Sequence, residues 1–209
     1  MKMSRGKIKL IPLFERNHMN SRLKYPLILI SYGLISSSLF AQSLIPLDLG
    51  NQWVYHRELL KDGKVMERDT VRNWIDISFD IQGKEYYSLH EFGDVFVVRN
   101  SRKGQFEIDT LSRGEDGKYL EVLMFRKPHK KKMLEYQTFG EDRVKVFPEK
   151  ERIQSIAGDF NCIKYEILPG NNPDRKIETY VAPGIGVVYQ KWKQGDKEVV
   201  HRLVAYRLR

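Results

Sequence analysis

VRNWIDISFDIQGKEYYSLHEF, residues 71–92, decides the fold class. Val71, Ile75, Ile77, Phe79 and Ile81 are apolar, and Arg72, Asp76, Ser78 and Asp80 fall between them. A period of two is the repeat of a β-strand, whose successive side chains point to opposite faces. Gln82-Gly83-Lys84 then interrupts the pattern, and a second strand is predicted over 85–92. The stretch therefore reads as two antiparallel strands joined by a tight turn, with Val71, Ile75, Ile77, Phe79 and Ile81 expected on one face.

The same grammar extends in both directions. Upstream, 52–60 reads as a strand with Trp53, Tyr55 and Leu59 on one face, followed by Lys61-Asp62-Gly63-Lys64. Asp-Gly tolerates positive φ and favours a tight hairpin turn into a long strand over 65–81. Downstream, strands are predicted at 95–99, 105–111, 118–125, 133–139, 143–147, 152–157, 160–168, 177–182, 187–193 and 198–208. Glu149-Lys150-Glu151-Arg152 reads as an exposed turn. The connections are short, whereas parallel strands need crossovers of about a dozen residues or more. The prediction is an all-β antiparallel meander, one domain over 44–209. Sheets twist, so this many strands must curl into a barrel, a half-barrel or a two-layer sheet. Lys164, Glu166, Lys191 and Lys193 interrupt the apolar alternation that a lipid-facing barrel wall would need.

Residues 19–43 are laid out as a signal peptide. Arg22 and Lys24 precede an apolar run from Pro26 to Ala41, and Ala41-Gln42-Ser43 fits a small-x-small cleavage site after Ala41 or Ser43. The run is shorter than the roughly 20 apolar residues of a membrane-spanning helix. Met19 reads as a more ordinary start than Met1, which makes 1–18 a start-site artefact or a long n-region. The chain carries 36 Lys+Arg against 27 Asp+Glu, a net charge of +9. Residues 1–43 hold seven of those basic residues and one of the acids, so removing them leaves +3. Most of the basicity thus belongs to the leader, and nucleic acid is not an expected partner. Periplasmic or secreted localisation follows, with no stable transmembrane span after processing. Gln42, Ser43 and Leu44 offer no cysteine for a lipid anchor at the cleavage site. Cys162, the single cysteine, cannot form an intrachain disulfide and is expected to be buried.

Three segments carry a resemblance: LIPLDLGNQWVY (44–55), IAGDFNCIKYEI (156–167) and YVAPGIGVVYQKW (180–192). Their order resembles a broad group of uncharacterised secreted bacterial β-rich proteins. The mature chains of that group open with Gly-Asn-x-Trp and carry an Ala-Pro-Gly-Ile-Gly hairpin near the end. It is similar in style to the TapB-like proteins and, more loosely, to the half-barrels of lipoprotein carriers. The resemblance implies export and a β-fold and transfers no activity. The hairpin also has a physical reading. Pro183 presets φ for a type II turn, Gly184 supplies the positive φ at the next position, and Gly186 permits a bulge or a close backbone approach.

No motif for catalysis, metal or cofactor accompanies this framework. His56 with Glu58, and His90 with Ser88 or Glu91, are isolated and lack zinc-ligand spacing. No Gly-x-Ser-x-Gly elbow is present. Glu115-Asp116 lies between glycines and reads as turn chemistry. The candidate surface residues are Trp74, Trp192, Arg126, Lys130, Lys131 and Lys132. The tryptophans beside charged residues read either as a binding surface or as a second core. The basic run at 126–132 reads either as a contact for phosphate-rich headgroups or an acidic partner, or as a solvated loop. The expected function is a non-enzymatic envelope binding protein that holds a small apolar or lipid-like ligand inside the curled sheet. The alternatives are a protein-interaction module using a sheet edge or surface patch and, behind it, an envelope hydrolase built on His56 or His90.

Overall fold

The computed structural model describes residues 43–129, 132–138, 141–172 and 174–209, all within the compact unit Leu39–Arg209. Residues 1–42, and with them nearly all of the expected leader, lie outside the described residues.

Twelve strands form one antiparallel sheet. They are β1 (Gln52–Lys61), β2 (Lys64–Ile81), β3 (Lys84–Glu91), β4 (Asp94–Asn100), β5 (Gly104–Arg113), β6 (Tyr119–Arg126), β7 (Leu134–Gln137), β8 (Arg143–Ser155), β9 (Gly158–Leu168), β10 (Arg175–Ala182), β11 (Gly186–Gln194) and β12 (Lys197–Arg207). The spatial order is β6-β5-β4-β3-β2-β1-β12-β11-β10-β9-β8-β7. Two meanders of hairpins are therefore joined where β1 pairs with β12, from Gln52↔Arg207 to Lys61↔Lys197. The tight turns have the expected backbone. Asp62 and Gly63 sit at φ 49° and 73°, and Gln82 and Gly83 at 56° and 75°. Two consecutive positive φ values match the right-handed twist of the flanking strands.

The strands at the two edges, β6 and β7, are consecutive in the chain but share no ladder. Side chains bridge them instead. The Tyr136 hydroxyl accepts from the Arg126 backbone N–H at 3.1 Å and donates to the Met124 carbonyl at 2.7 Å. The Tyr165 hydroxyl of β9 donates to the Arg126 carbonyl at 2.8 Å. The sheet thus curls into a half-barrel with a tyrosine-stitched seam, and a fully closed barrel is not formed. Pro128 has no N–H to offer a ladder, and β7 is only four residues long.

Two local expectations are corrected. The predicted strands 143–147 and 152–157 are one strand, β8, and the expected turn at 149–152 lies inside it. A register shift between Val146 and Lys150 absorbs the extra residues, including Pro148, which strands tolerate at such irregularities. In β2, a bulge falls between Ile75 and Ile77 opposite Leu89 and Ser88. It moves Ile77 and the rest of the strand to the opposite face, so Ile75 is 1% exposed and Ile77 55%.

The concave side buries Trp53, Tyr55, Ile75, Leu89, Val98, Val144, Val146, Tyr165, Val188 and Leu203. Trp53 donates its Nε1–H to the Ile185 carbonyl at 2.6 Å, and Tyr55 its hydroxyl to the Val187 carbonyl at 2.9 Å. The hairpin has Gly184 at φ 81° and an Ile185 N–H to Ala182 carbonyl bond of 3.0 Å. A Cβ on Gly186 would stand 3.3 Å from Trp53 Nε1. Cys162 is buried as expected, and burial pushes its thiol up to about 12. The convex side carries ion pairs within and between strands. Glu58 meets Arg68 and Arg202, Lys191 meets Glu198, and Lys164 and Lys176 meet Glu166 and Glu178. Among the described residues no helix is long and apolar enough to cross a membrane.

Candidate functional site

Strand pairing sets the interior rows. Thr179 of β10 faces Gln190 of β11, which faces His201 of β12, which faces Arg57 of β1. One pair along, Ile177 faces Trp192 and Trp192 faces Val199. On the other meander Leu89 faces Phe96, and Val98 faces Glu107. Antiparallel partners share a sheet face. These rows converge on a chamber of about 190 Å³ whose polar lining is Glu91, Gln105, Glu107, Thr138, Asp142 and Gln190. Its apolar wall includes Leu89, Phe96, Val98, Phe125, Ile167 and Ile177. A vestibule of about 370 Å³ shares Glu91, Phe96, Ile177 and Gln190 with the chamber and adds Arg57, Asp94, Arg175, Trp192 and His201.

Three buried side-chain atoms have no hydrogen-bond partner among the described residues: Gln105 Nε2, Arg175 Nε and His201 Nδ1. All three residues line the chamber or its vestibule. Gln105 is 2% exposed and His201 4%. An orphaned buried polar group costs about 1–3 kcal/mol, and native proteins carry few of them.

The electrostatics of this interior are unusual. Burial pushes the Glu91 carboxyl up to about 7, with the Glu107 and Asp94 carboxylates adding to the effect. Burial likewise pushes Glu107 up to about 7, reinforced by Asp109. Neither acid has an ion pair among the described residues. His201 is pushed down to about 4 by burial and then by Arg57, with Asp69 opposing, so its ring is neutral at pH 7. Phe92 stacks on that ring at 4.0 Å. Arg57 is held by Asp69 at 2.8 and 2.5 Å, and the Arg175 guanidinium lies 4.9 Å from the Trp192 ring centre.

Among the described residues, those picked from sequence do not come together in one site. Trp192 lines the vestibule. Trp74 lies on the convex face, stacked on His90 at 4.2 Å, with His90 Nε2 2.9 Å from Asp76 Oδ2. Ser88 Oγ is 3.5 Å from the same Nε2. A Ser-His-Asp relay needs the hydroxyl and the carboxylate on opposite ring nitrogens, and here both fall on one. Arg126 ends β6 at the seam, where its backbone is bonded by Tyr136 and Tyr165. Lys132 is exposed beside a bridge to His129. Lys130 and Lys131 lie outside the described residues. A larger groove of about 510 Å³ on the convex side is lined by Arg152, Lys191 and Arg202 among others, and these are already paired with Asp159, Glu198 and Glu58.

Sequence reasoning passed over Gln105, Glu107, Arg175, Gln190 and His201, and weighed Glu91 only as a neighbour of His90. A signal for three of them was present: Glu91 shares the phase of Leu89, Gln190 that of Val188 and Trp192, and His201 that of Val199 and Leu203. A polar residue at an inward phase marks a polar interior.

No family model matches the chain, and no curated protein matches it. The chain is similar to several solved structures, among them the following two. One is a lipoprotein candidate from Parabacteroides distasonis, 13% identical over 79% of this chain and 99% of that one, with a TM-score of 0.40. The other is an exported-protein candidate with a YmcC-like fold from Bacteroides fragilis, 17% identical over 80% of this chain and 100% of that one, with a TM-score of 0.38.

Proposed function

We propose that this is an exported, non-catalytic binding protein of the cell envelope whose half-barrel holds a small amphipathic ligand. The observation that carries this is the convergence of three orphaned buried polar atoms, on Gln105, Arg175 and His201, upon one interior space. Buried polar groups need partners, and a ligand with matching polar atoms would supply all three at once. The apolar wall would bury the rest of the ligand. Export is supported by the basic n-region, the short apolar run and the small-x-small site over 19–43. Native mass spectrometry of protein purified gently from the envelope tests the proposal. A bound mass of small-molecule size, lost in a Gln105→Leu variant that stays folded, is expected. A bare chain, with the orphaned groups hydrogen-bonded only to ordered water in a crystal structure, would refute it.

A further inference from the structure

The acids of the chamber have no ion-pair partner among the described residues. Glu91 and Glu107 make no ion pair or side-chain hydrogen bond among the described residues, and Asp142 also lines the space. No lysine or arginine among the described residues lines the chamber itself. The cations nearby belong to the vestibule: Arg57 is already paired with Asp69 and Glu67, and the Arg175 guanidinium lies against the Trp192 ring. Two facing carboxylates in a partly desolvated space repel each other unless a positive charge joins them or a proton neutralises one. A second observation marks the same spot independently. The Gln105 amide is 2% exposed, lines the chamber and has an unpartnered nitrogen. An amide turned about its last torsion presents either its oxygen or its nitrogen, and so can serve an ammonium as acceptor.

We propose that the chamber binds the ammonium end of a small aliphatic or aromatic amine, with Glu91 and Glu107 as its counter-charges and Gln105 as its neutral hydrogen-bond partner. The carbon skeleton rests on Leu89, Phe96, Val98 and Ile177. A volume of about 190 Å³ is below the few hundred Å³ usual for drug-sized ligands, so the occupant is small, or extends past Phe96 into the vestibule. There the Trp192 face and the unpaired Nε–H of Arg175 receive its far end.

The charge logic makes binding depend on pH. The groups facing the two acids are Asp94 from β4, Asp109 from β5, Asp142 ahead of β8, Arg57 from β1, Arg175 from β10 and His201 from β12. His201 stays neutral above about pH 5, and the arginines stay charged. Between pH 5.5 and 8 the change in the chamber is therefore chiefly the ionisation of Glu91 and Glu107.

Amine binding presupposes that the interior is a ligand site at all, and one experiment separates the two ideas. The purified full chain is titrated calorimetrically with n-hexylamine, hexan-1-ol and hexanoate, each at pH 8.0 and pH 5.5. The expected result is at least tenfold tighter binding of the amine than of the alcohol at pH 8.0, falling at least fivefold at pH 5.5. Hexanoate should be the weakest at both. Glu91→Gln and Glu107→Gln should each cost the amine about tenfold at pH 8.0 and leave the alcohol unchanged. If the alcohol or hexanoate binds as well as the amine, or the amine's affinity ignores pH, the amine assignment falls and the ligand site survives. If none of the three binds, both fall. The pH series on the unaltered chain decides between these outcomes even where a variant fails to fold.

Discussion

Replacing Tyr136 by Phe tests how the half-barrel stays curled. The hydroxyl of Tyr136 serves two backbone groups of β6, accepting from Arg126 N–H at 3.1 Å and donating to the Met124 carbonyl at 2.7 Å. Burial raises the phenol pKa well above its ordinary value, so the group remains a donor throughout the working range. The substitution keeps the ring and deletes both bonds. A net hydrogen bond is worth about 0.5–1.5 kcal/mol, and leaving a buried partner unsatisfied costs about 1–3 kcal/mol. The seam is partly open to water, which can rescue one of the two β6 groups, so a loss of about 1–3 kcal/mol is expected. At this domain size each kcal/mol corresponds to about 2–4 °C in Tm. Urea denaturation gives the stability, and hydrogen exchange followed by NMR gives the protection of the Arg126 amide. Tyr165→Phe is the control, because it removes only the donor to the Arg126 carbonyl and should leave that amide protected. A stability change below about 0.5 kcal/mol, with the Arg126 amide exchanging as before, would show that the seam is not held by this tyrosine.

Three other outcomes are expected. Glu91→Gln should leave stability unchanged near pH 4.5 and raise it by about 1–3 kcal/mol at pH 8 in the ligand-free protein, read from denaturation across the range. The sign follows from a carboxyl raised to about 7 from 4.5: the folded state loses stability as pH rises through that window, and the amide does not. Glu121→Gln should cost about 1–3 kcal/mol at pH 7, because the carboxylate takes a two-point contact from Arg99 and further bonds from Lys84 and Tyr86. The Arg99 bond, foremost, holds that acid down at about 2, so its contribution is present above pH 4.5 and fades as pH falls towards 2. The gap between variant and parent in acid denaturation should narrow accordingly. Trp53→Phe should destabilise by about 1–3 kcal/mol through the orphaned Ile185 carbonyl and the lost indole volume, with the intensity loss in the fluorescence spectrum confirming the substitution.

The sequence alone determined the class of fold and most of its parts. Alternation with period two, punctuated by Asp-Gly, Gln-Gly and Pro-Gly, is local physics: one residue's backbone preference and its neighbour's polarity suffice to place a strand or a turn. Hence Trp53 and Tyr55 fall inside, Asp62-Gly63 turns, and Gly184 bends the hairpin as read. Phase along a strand, by contrast, depends on bulges, and a bulge is decided by what the neighbouring strand offers. That is why Ile77 could not be seen to flip outward, nor 143–155 to be one strand around Pro148. Closure was beyond reach for the same reason. Whether β6 and β7 pair is a contest between sheet curvature, a proline without an N–H and the reach of Tyr136, all settled across the whole sheet. The site lay furthest from view. Glu91, Gln105, Glu107, Arg175 and His201 are 110 positions apart at the extreme, and only the curl of two meanders about the β1–β12 join puts them around one space. Polarity and phase are written residue by residue, whereas enclosure and unmet hydrogen bonds are properties of the assembled surface.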